Sequence, residues 1–361
     1  MAWRRPQSHF WQLRQTADTC ASGGDAATAA AAGAGTAAWY ARRARLRAAV
    51  FDTRGHEPWT PPSPARSVAT GVLAEVREDA VVLDTRHGTE FFALSPGTVT
   101  WAGAYTAPSA LHPGDDIIVR YRAPGAGTAD LLIAERVWAR IGRVAGEILE
   151  VRGRELLVDA GQHGREPERV VIAEASLRHV QVRFPRLTPG YLIDVIGTRR
   201  GDGYLLAVTP ATAQPPYLAA HPPAPPPTGA YSGGPISGAA VWHEPGDERA
   251  DLLGVGYAAL DPETEGGAAV PGDAAHQHEP CARLPYLSLG SAVRVSNECA
   301  DRAAVLPVTS CSASARQFCD RCVKCGTSPR ARVADLTMAA FVELGGNLED
   351  GCFNATLTLA G

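Results

Sequence analysis

The segment that decides the fold of the carboxyl-terminal part of the chain is Arg332-Val-Ala-Asp-Leu-Thr-Met-Ala-Ala-Phe-Val-Glu-Leu-Gly-Gly346. Thr337 stands where a residue can cap a short helix, and the final two glycines end that helix. The apolar residues that share one face of it are Ala340, Phe341 and Leu344. The segment therefore predicts a short helix with one apolar face.

Short alternating strands surround this helix in the sequence. The residues after the tight bend at Gly290 alternate between apolar and polar side chains and predict a strand. Ala304–Thr309 predicts a second strand, in which Pro307 indicates an edge position or a bulge. Apolar residues alternate again from Gly351 to Leu359 and predict a closing strand. Residues 252–361 are therefore interpreted as one compact β domain.

Four patterns follow one another in this domain. They are "L-P-x-x-S-L-G-S-x-V-R-V-x-N" from Leu284, "D-R-C-x-x-C" from Asp320, "V-A-D-L-T-x-A-A-F-x-x-L-G" from Val333 and "G-x-F-x-A-T-L-T" from Gly351. Their order resembles the rare-lipoprotein-A, barwin and expansin families across residues 252–361. The resemblance implies a six-stranded double-psi β-barrel with a short helix, and a role on cell-wall polysaccharide.

The resemblance places the functional aspartate of these families at Asp335, with Thr337 in the position of their serine. A carboxylate at this point either acts as a general acid or remains an anion that the helix amides stabilise. Family members carry a second aspartate after the second strand, where this chain has Ser310 unless the insertion 312–318 shifts the match to Asp320. The candidate catalytic residues are therefore Asp335 and Asp320.

Glycan binding in a barrel groove relies on exposed aromatic rings that stack on sugar faces. The aromatic candidates are Tyr257, Tyr286 and Phe318, and packing is the alternative role of each ring. Thr337 is a further candidate for contact with the glycan. Family members open with a "G-x-A-T-x-Y" strand, whose counterpart here is interpreted as the eroded segment Gly256–Leu260.

Seven of the eight cysteines fall in the carboxyl-terminal domain: Cys281, Cys299, Cys311, Cys319, Cys322, Cys325 and Cys352. Such clustering predicts a disulfide framework of unknown connectivity, or a metal site. Cys319, Cys322 and Cys325 could donate three thiolates to zinc. Disulfides are favoured because zinc sites usually combine two separated cysteine pairs, so no metal is assigned. The odd number leaves at least one cysteine without a disulfide partner in the domain.

Two stretches in the middle of the chain repeat one pattern. Gly71–Arg77 matches Gly146–Arg152 at an offset of 75, and Leu111–Val119 matches Leu187–Val195 at an offset of 76. Short apolar alternations separated by turn formers predict five or six strands in each copy, as in small OB-like β-barrels. The two predicted barrels are residues 68–139 and 141–210.

The remaining segments have compositions that do not build a core. Residues 211–250 are rich in proline and predict a semi-rigid linker. Residues 1–65 are of low complexity and contain a poor match to an export signal.

No stretch approaches the roughly 20 apolar residues of a membrane span. The net charge of −4 gives no basic field for nucleic acid.

These observations predict a mainly β bacterial protein, extracellular or associated with the cell envelope. It is expected to bind cell-wall polysaccharide, either peptidoglycan or a cellulose-like glycan, without hydrolysis and without a cofactor. The first alternative is a peptidoglycan lytic transglycosylase or glycoside hydrolase with Asp335 as general acid. A hydrolase would pair Asp335 with Asp320 at about 5 Å or about 6.5–9.5 Å. The second alternative is a zinc-binding interaction protein that uses Cys319, Cys322 and Cys325.

Overall fold

The computed structural model describes residues 67–122, 131–160, 166–177, 187–201, 203–214, 235–244, 251–257, 290–311, 319–320 and 330–359. Within these ranges the protein is mainly β, with one short α-helix and strands arranged in three barrel-like sheets. The mainly β, barrel-based architecture predicted from the sequence is confirmed. No helix in the described ranges has the length and apolar character needed to cross a bilayer.

The first sheet contains seven strands. They are β1 (Val68–Val76), β2 (Ala80–Thr85), β3 (Gly88–Ala93), β4 (Val99–Trp101), β5 (Tyr105–Thr106), β6 (Asp116–Arg122) and β7 (Leu132–Ala139). Five of them close into a barrel in the order β3-β2-β1-β6-β7, because β3 also pairs in parallel with β7. Strands β4 and β5 extend this sheet from β7.

The second sheet is a closed five-stranded barrel. Its strands are β8 (Ile141–Arg152), β9 (Glu155–Asp159), β10 (Glu168–Ile172), β11 (Leu192–Arg199) and β12 (Leu205–Gln214). Around the barrel they follow the order β10-β9-β8-β11-β12, and a parallel pairing of β10 with β12 closes it. This is the strand order of the first barrel, strand for strand.

Equivalent glycines confirm that the two barrels repeat one structure. A Cβ on Gly71 would lie 2.6 Å from the carbonyl oxygen of Asp84, and one on Gly146 would lie 1.9 Å from that of Asp159. Both positions therefore require glycine, because the neighbouring strand approaches too closely for a side chain. The turns repeat as well: Gly114 N donates to Leu73 O and Gly190 N donates to Ile148 O, each at 2.8 Å.

The third sheet contains seven strands and the helix. The elements are β13 (Ile236–His243), β14 (Val255–Tyr257), β15 (Ala292–Asn297), β16 (Arg302–Cys311), β17 (Cys319–Asp320), β18 (Arg330–Thr337), α1 (Met338–Glu343) and β19 (Cys352–Leu359). Six strands form a ring in the order β13-β19-β15-β16-β14-β18, because β13 also pairs with β18. The six-stranded ring agrees with the predicted strand number, and its assignment as a double-psi barrel stays a prediction.

Both bounds of the predicted linker, residues 211–250, are wrong. β12 continues to Gln214, and β13 lies between β18 and β19, so residues 236–243 belong to the third barrel. The segment does not bury a core by itself, but pairing on both sides satisfies its backbone and packs its apolar residues. The third barrel therefore starts at Ile236 and not at residue 252.

The predicted helix is present where the sequence placed it. The Thr337 side chain accepts a hydrogen bond from Ala340 N at the start of α1. The predicted apolar face is fully buried, and the Phe341 ring stacks on Phe353 with 4.8 Å between ring centroids. The helix thus anchors the end of β18 against the closing strand.

The three barrels pack into one block with a shared core. A single apolar cluster joins Trp101, Ile118 and Trp138 of the first barrel to Trp242 and Phe341 of the third. Residues of the second barrel also contribute to it, among them Ile141 and Ile196. The barrels therefore hold their functional surfaces in fixed positions relative to one another.

Candidate functional site

Asp335 lies near the end of β18, three residues before the helix begins. At this residue β18 pairs on one side with Val241 of β13 and on the other with Gly256 of β14. Asp335 is only 3% exposed. A buried carboxylate requires a polar or charged partner, because burial without one is strongly unfavourable.

One partner of Asp335 is His243, the last residue of β13. Its Nδ1 lies 3.2 Å from Asp335 Oδ1. The two residues are 92 positions apart in the sequence, and the parallel pairing of β13 with β18 brings them together. The His243 side chain is 31% exposed, against 5% for Asp335. The imidazole is therefore the part of the pair that a ligand can reach.

The charge of His243 depends on its surroundings. Burial disfavours the imidazolium and nearby Arg143 repels it, but the Asp335 carboxylate outweighs both and raises the pKa of His243 above its usual value. His243 is thus more often protonated at neutral pH than an ordinary histidine. In that state the imidazolium is a cationic hydrogen-bond donor, and the Asp335 carboxylate stabilises its charge.

The Thr337 hydroxyl connects the helix to the strand that enters the barrel. It donates to Leu252 O at 2.5 Å and accepts from Gly254 N at 3.2 Å, besides capping Ala340 N. The residue is 8% exposed. The hydroxyl predicted to contact a glycan is therefore bonded within the protein and holds residues 252–254 beside β18.

We define the third-barrel rim as His243, Glu244, residues 251–254, Asp335 and Thr337. The other two barrels contact it. Arg86 forms an ion pair with Asp251, and His87 Nε2 lies 3.9 Å from the same carboxylate. Glu244 accepts hydrogen bonds from Arg199 at 2.8 Å and 2.5 Å. Both of these rim carboxylates are thus ion-paired with arginines.

Asp320, the second catalytic candidate, lies far from Asp335. It pairs with Arg330 at the start of β18, and Asp335 is five residues further along the same strand. At about 3.3 Å per residue, the two backbone positions are about 16 Å apart. This exceeds the carboxylate separations of about 5 Å or 6.5–9.5 Å that glycoside hydrolases use. The structure does not bring the two aspartates together.

The aromatic candidates have different positions. Tyr257 ends β14, one residue after the Gly256 that pairs with Asp335, so its backbone lies next to the rim. Tyr286 and Phe318 lie outside the described residues. Stacking of these rings on a sugar stays a prediction.

Four of the seven carboxyl-terminal cysteines lie among the described residues. Cys299, in the turn after β15, is disulfide-bonded. Three others are placed on strands: Cys311 ends β16, Cys319 begins β17 and Cys352 begins β19. Cys281, Cys322 and Cys325 lie outside the described residues, so the disulfide connectivity and the zinc alternative stay predictions. Across the described residues, no group of three or more His, Cys, Asp or Glu residues could hold a metal ion.

His243 is the site residue that the sequence analysis did not identify. The proline-rich composition of residues 211–250 concealed it, because the segment was interpreted as linker. A usable signal is present: Gly238 and Ala240 have the "G-x-A" spacing that opens the barrel in the resembling families. In the structure β13 is the first described strand of the third sheet, and His243 follows three residues after Ala240.

Comparison with known proteins adds no relative to these observations. No protein-family model matches the chain, and no curated protein matches it either.

Proposed function

We propose that the chain binds cell-wall polysaccharide at the third-barrel rim without cleaving it. The observation that carries the proposal is the His243–Asp335 pair, in which a buried carboxylate supports a half-exposed imidazole. Sugar hydroxyls and acetamido groups accept hydrogen bonds, and a charged donor makes stronger bonds than a neutral one. The pair thus supplies a fixed, polar contact point at a barrel end.

The absence of cleavage is inferred from the positions of the carboxylates among the described residues. Asp335 is 3% exposed and lies within hydrogen-bond distance of His243, so it does not reach a glycosidic oxygen directly. Glu244 and Asp251 are ion-paired with arginines, and the backbone of Asp320 lies about 16 Å away. General-acid catalysis requires a group within about 2.6–3.2 Å of the atom that it protonates.

Lytic cleavage is the second candidate, and one observation favours it. A carboxylate that orients a protonated imidazole is also an arrangement for proton transfer, with His243 as the acid and Asp335 as the positioning residue. This version of the enzyme hypothesis replaces Asp335 as the direct proton donor.

Sedimentation with purified peptidoglycan tests the proposal. We expect the full chain to bind and to release no soluble fragments. His243→Gln should weaken binding about tenfold or more, because it removes a charge-assisted hydrogen bond. Asp335→Asn should weaken binding less, since the imidazole remains but loses its charged support. The matched control is His112→Gln, at an exposed turn of the first barrel, which should bind as the wild type does.

Three results would contradict the proposal. Absence of binding by the wild-type chain to peptidoglycan and to cellulose rejects polysaccharide binding altogether. Equal binding by His243→Gln and His112→Gln rejects the rim as the site, provided that thermal unfolding curves show both variants to be folded. Release of anhydro-muropeptides by the wild type, lost in His243→Gln, establishes the lytic alternative instead.

A further inference from the structure

A second polar feature lies on the first barrel, away from the rim. A cleft of about 370 Å³ opens between β7 and the loop before β4. Its volume falls within the roughly 300–1,000 Å³ of small-molecule sites. Its charged lining residues are Arg120, Arg122, Glu135 and Arg136, and Ser95 and Gly97 line it as well.

Two arginines of the cleft lie side by side on neighbouring strands, where their like charges repel each other. Arg120 on β6 is directly opposite Arg136 on β7. Like charges in such a pair destabilise a sheet. Burial lowers the pKa of Arg120, and the charge of Arg136 lowers it further. The pairing by itself opposes stability, so other contacts of the two guanidinium groups must offset it.

The third barrel fixes both side chains in place. Arg120 donates to Gly345 O and Gly346 O, each at 3.3 Å, at the end of α1. Arg136 is ion-paired with Glu349. The two arginine side chains are each 15% exposed. A ligand would therefore meet guanidinium groups that are already held in position, which reduces the entropy lost on binding.

The charges of the cleft do not balance. Three guanidinium groups face one lining carboxylate, Glu135, whose Oε2 lies 3.6 Å from Arg120 Nε. Glu349, which does not line the cleft, neutralises Arg136. Among the described residues, one positive charge is left over. Arg122 is the exposed member of the three and lines the cleft at the end of β6.

We propose that this cleft binds a phosphoryl group. A phosphoryl group offers three oxygens and a charge of −1 to −2, whereas a carboxylate offers two oxygens in one plane. Several guanidinium groups from different directions therefore suit the phosphoryl group better. The cleft has room for part of the molecule that carries it. A free small phosphate and a phosphate-containing wall polymer share this chemistry, and this site does not depend on the polysaccharide function proposed for the rim.

Calorimetric titration of the full chain tests this site. The probes are inorganic pyrophosphate, a poly(glycerol phosphate) and an oligogalacturonate, which separate a free phosphate, a polymeric phosphate and a polymeric carboxylate. Arg122→Gln should weaken phosphoryl binding about tenfold or more, because it removes one charge-assisted contact. Arg122→Lys should recover part of the loss.

The control is Arg152→Gln, a 75% exposed arginine on the second barrel. Because Arg122 is exposed, its variants should unfold at the wild-type temperature. His243→Gln should leave phosphoryl binding unchanged, which separates failure of this site from failure of the rim. Equal effects of Arg122→Gln and Arg152→Gln would overturn the proposal. So would absence of binding to both phosphoryl probes, or tighter binding of the oligogalacturonate.

Discussion

Asp194 holds the second barrel to the third through a fully buried ionic group. Its Oδ1 accepts from Arg143 Nε at 2.8 Å and its Oδ2 accepts from Arg143 Nη2 at 2.5 Å. The same Oδ2 accepts from Arg332 of the third barrel. Arg143 also donates to Trp242 O at 3.0 Å and Gly351 O at 2.7 Å. One carboxylate thus bridges two guanidinium groups that belong to two different barrels.

The substitution Asp194→Asn keeps the shape of the side chain and removes its charge. Breaking a buried ion pair by neutralising one partner costs about 3–5 kcal/mol. Because two buried arginines lose their counter-ion here, we expect a loss of about 4–5 kcal/mol in the free energy of unfolding. Single domains have about 5–15 kcal/mol in total, so the variant should be close to unfolding. Urea denaturation followed by tryptophan fluorescence measures the loss.

The pH dependence provides a second measurement of the same pair. Burial opposes ionisation of Asp194, but Arg143 and Arg332 outweigh it and hold the pKa of its carboxyl below the usual value. Its stabilisation is therefore fully present above the unfolded pKa of about 3.9. It is lost as the pH falls through the lower folded pKa. Asp194→Asn should lack this part of the acid dependence.

Replacing all three charged residues by apolar ones distinguishes the effect of losing the ion pairs from the effect of leaving an unpaired charge buried. Arg143→Val and Asp194→Ile restore the residues of the first repeat, and Arg332→Met removes the remaining charge. Such replacements are often neutral or stabilising, so the triple variant should recover most of the loss. The control is Asp116→Asn, at an exposed position on β6, which should change stability by less than about 0.5 kcal/mol. A loss below about 1 kcal/mol in Asp194→Asn would refute this reasoning.

Two further predictions concern the rim and the repeat. The raised pKa of His243 means that its stabilising effect is present below the unfolded pKa of about 6.5 and is lost as the pH rises through the folded value. An NMR titration should show this raised pKa and its return toward normal in Asp335→Asn; an unchanged value contradicts the pairing. Gly146→Ala should lower stability by about 1–3 kcal/mol, and Gly71→Ala by less, since their added Cβ atoms would lie 1.9 Å and 2.6 Å from a carbonyl oxygen. Thermal unfolding measures both glycine variants, and equal losses would contradict the geometry.

Local patterns in the sequence predict the barrels well. Turn formers and alternation repeat at offsets of 75 and 76, and each copy folds into the same five-stranded ring. The cap at Thr337 and the closing strand were also predicted, because both depend on neighbours within a few residues. These elements are determined by short-range chemistry that one sequence displays directly.

Long-range pairing explains what the sequence does not reveal. β13 has a composition that suits a linker, and it is a strand because β18 and β19, about a hundred residues later, pair with it. The proximity of His243 to Asp335 has the same origin. The cleft likewise needs Gly345 and Glu349 of the third barrel to fix arginines of the first. Such contacts depend on how separate units dock, which periodicity does not encode.

The two repeats have diverged at the positions that face the third barrel. Val68 and Ile118 of the first copy pack against its core, and the aligned positions of the second copy are Arg143 and Asp194. An apolar face would dock about as well in either place, whereas a buried charge is tolerated only where its counter-ions are. Arg332 of the third barrel is such a counter-ion for Asp194. The charged pair therefore distinguishes two similar barrels and fixes which of them lies beside β18. By the same docking, the arginine cleft of the first barrel and the third-barrel rim are held in one constant arrangement.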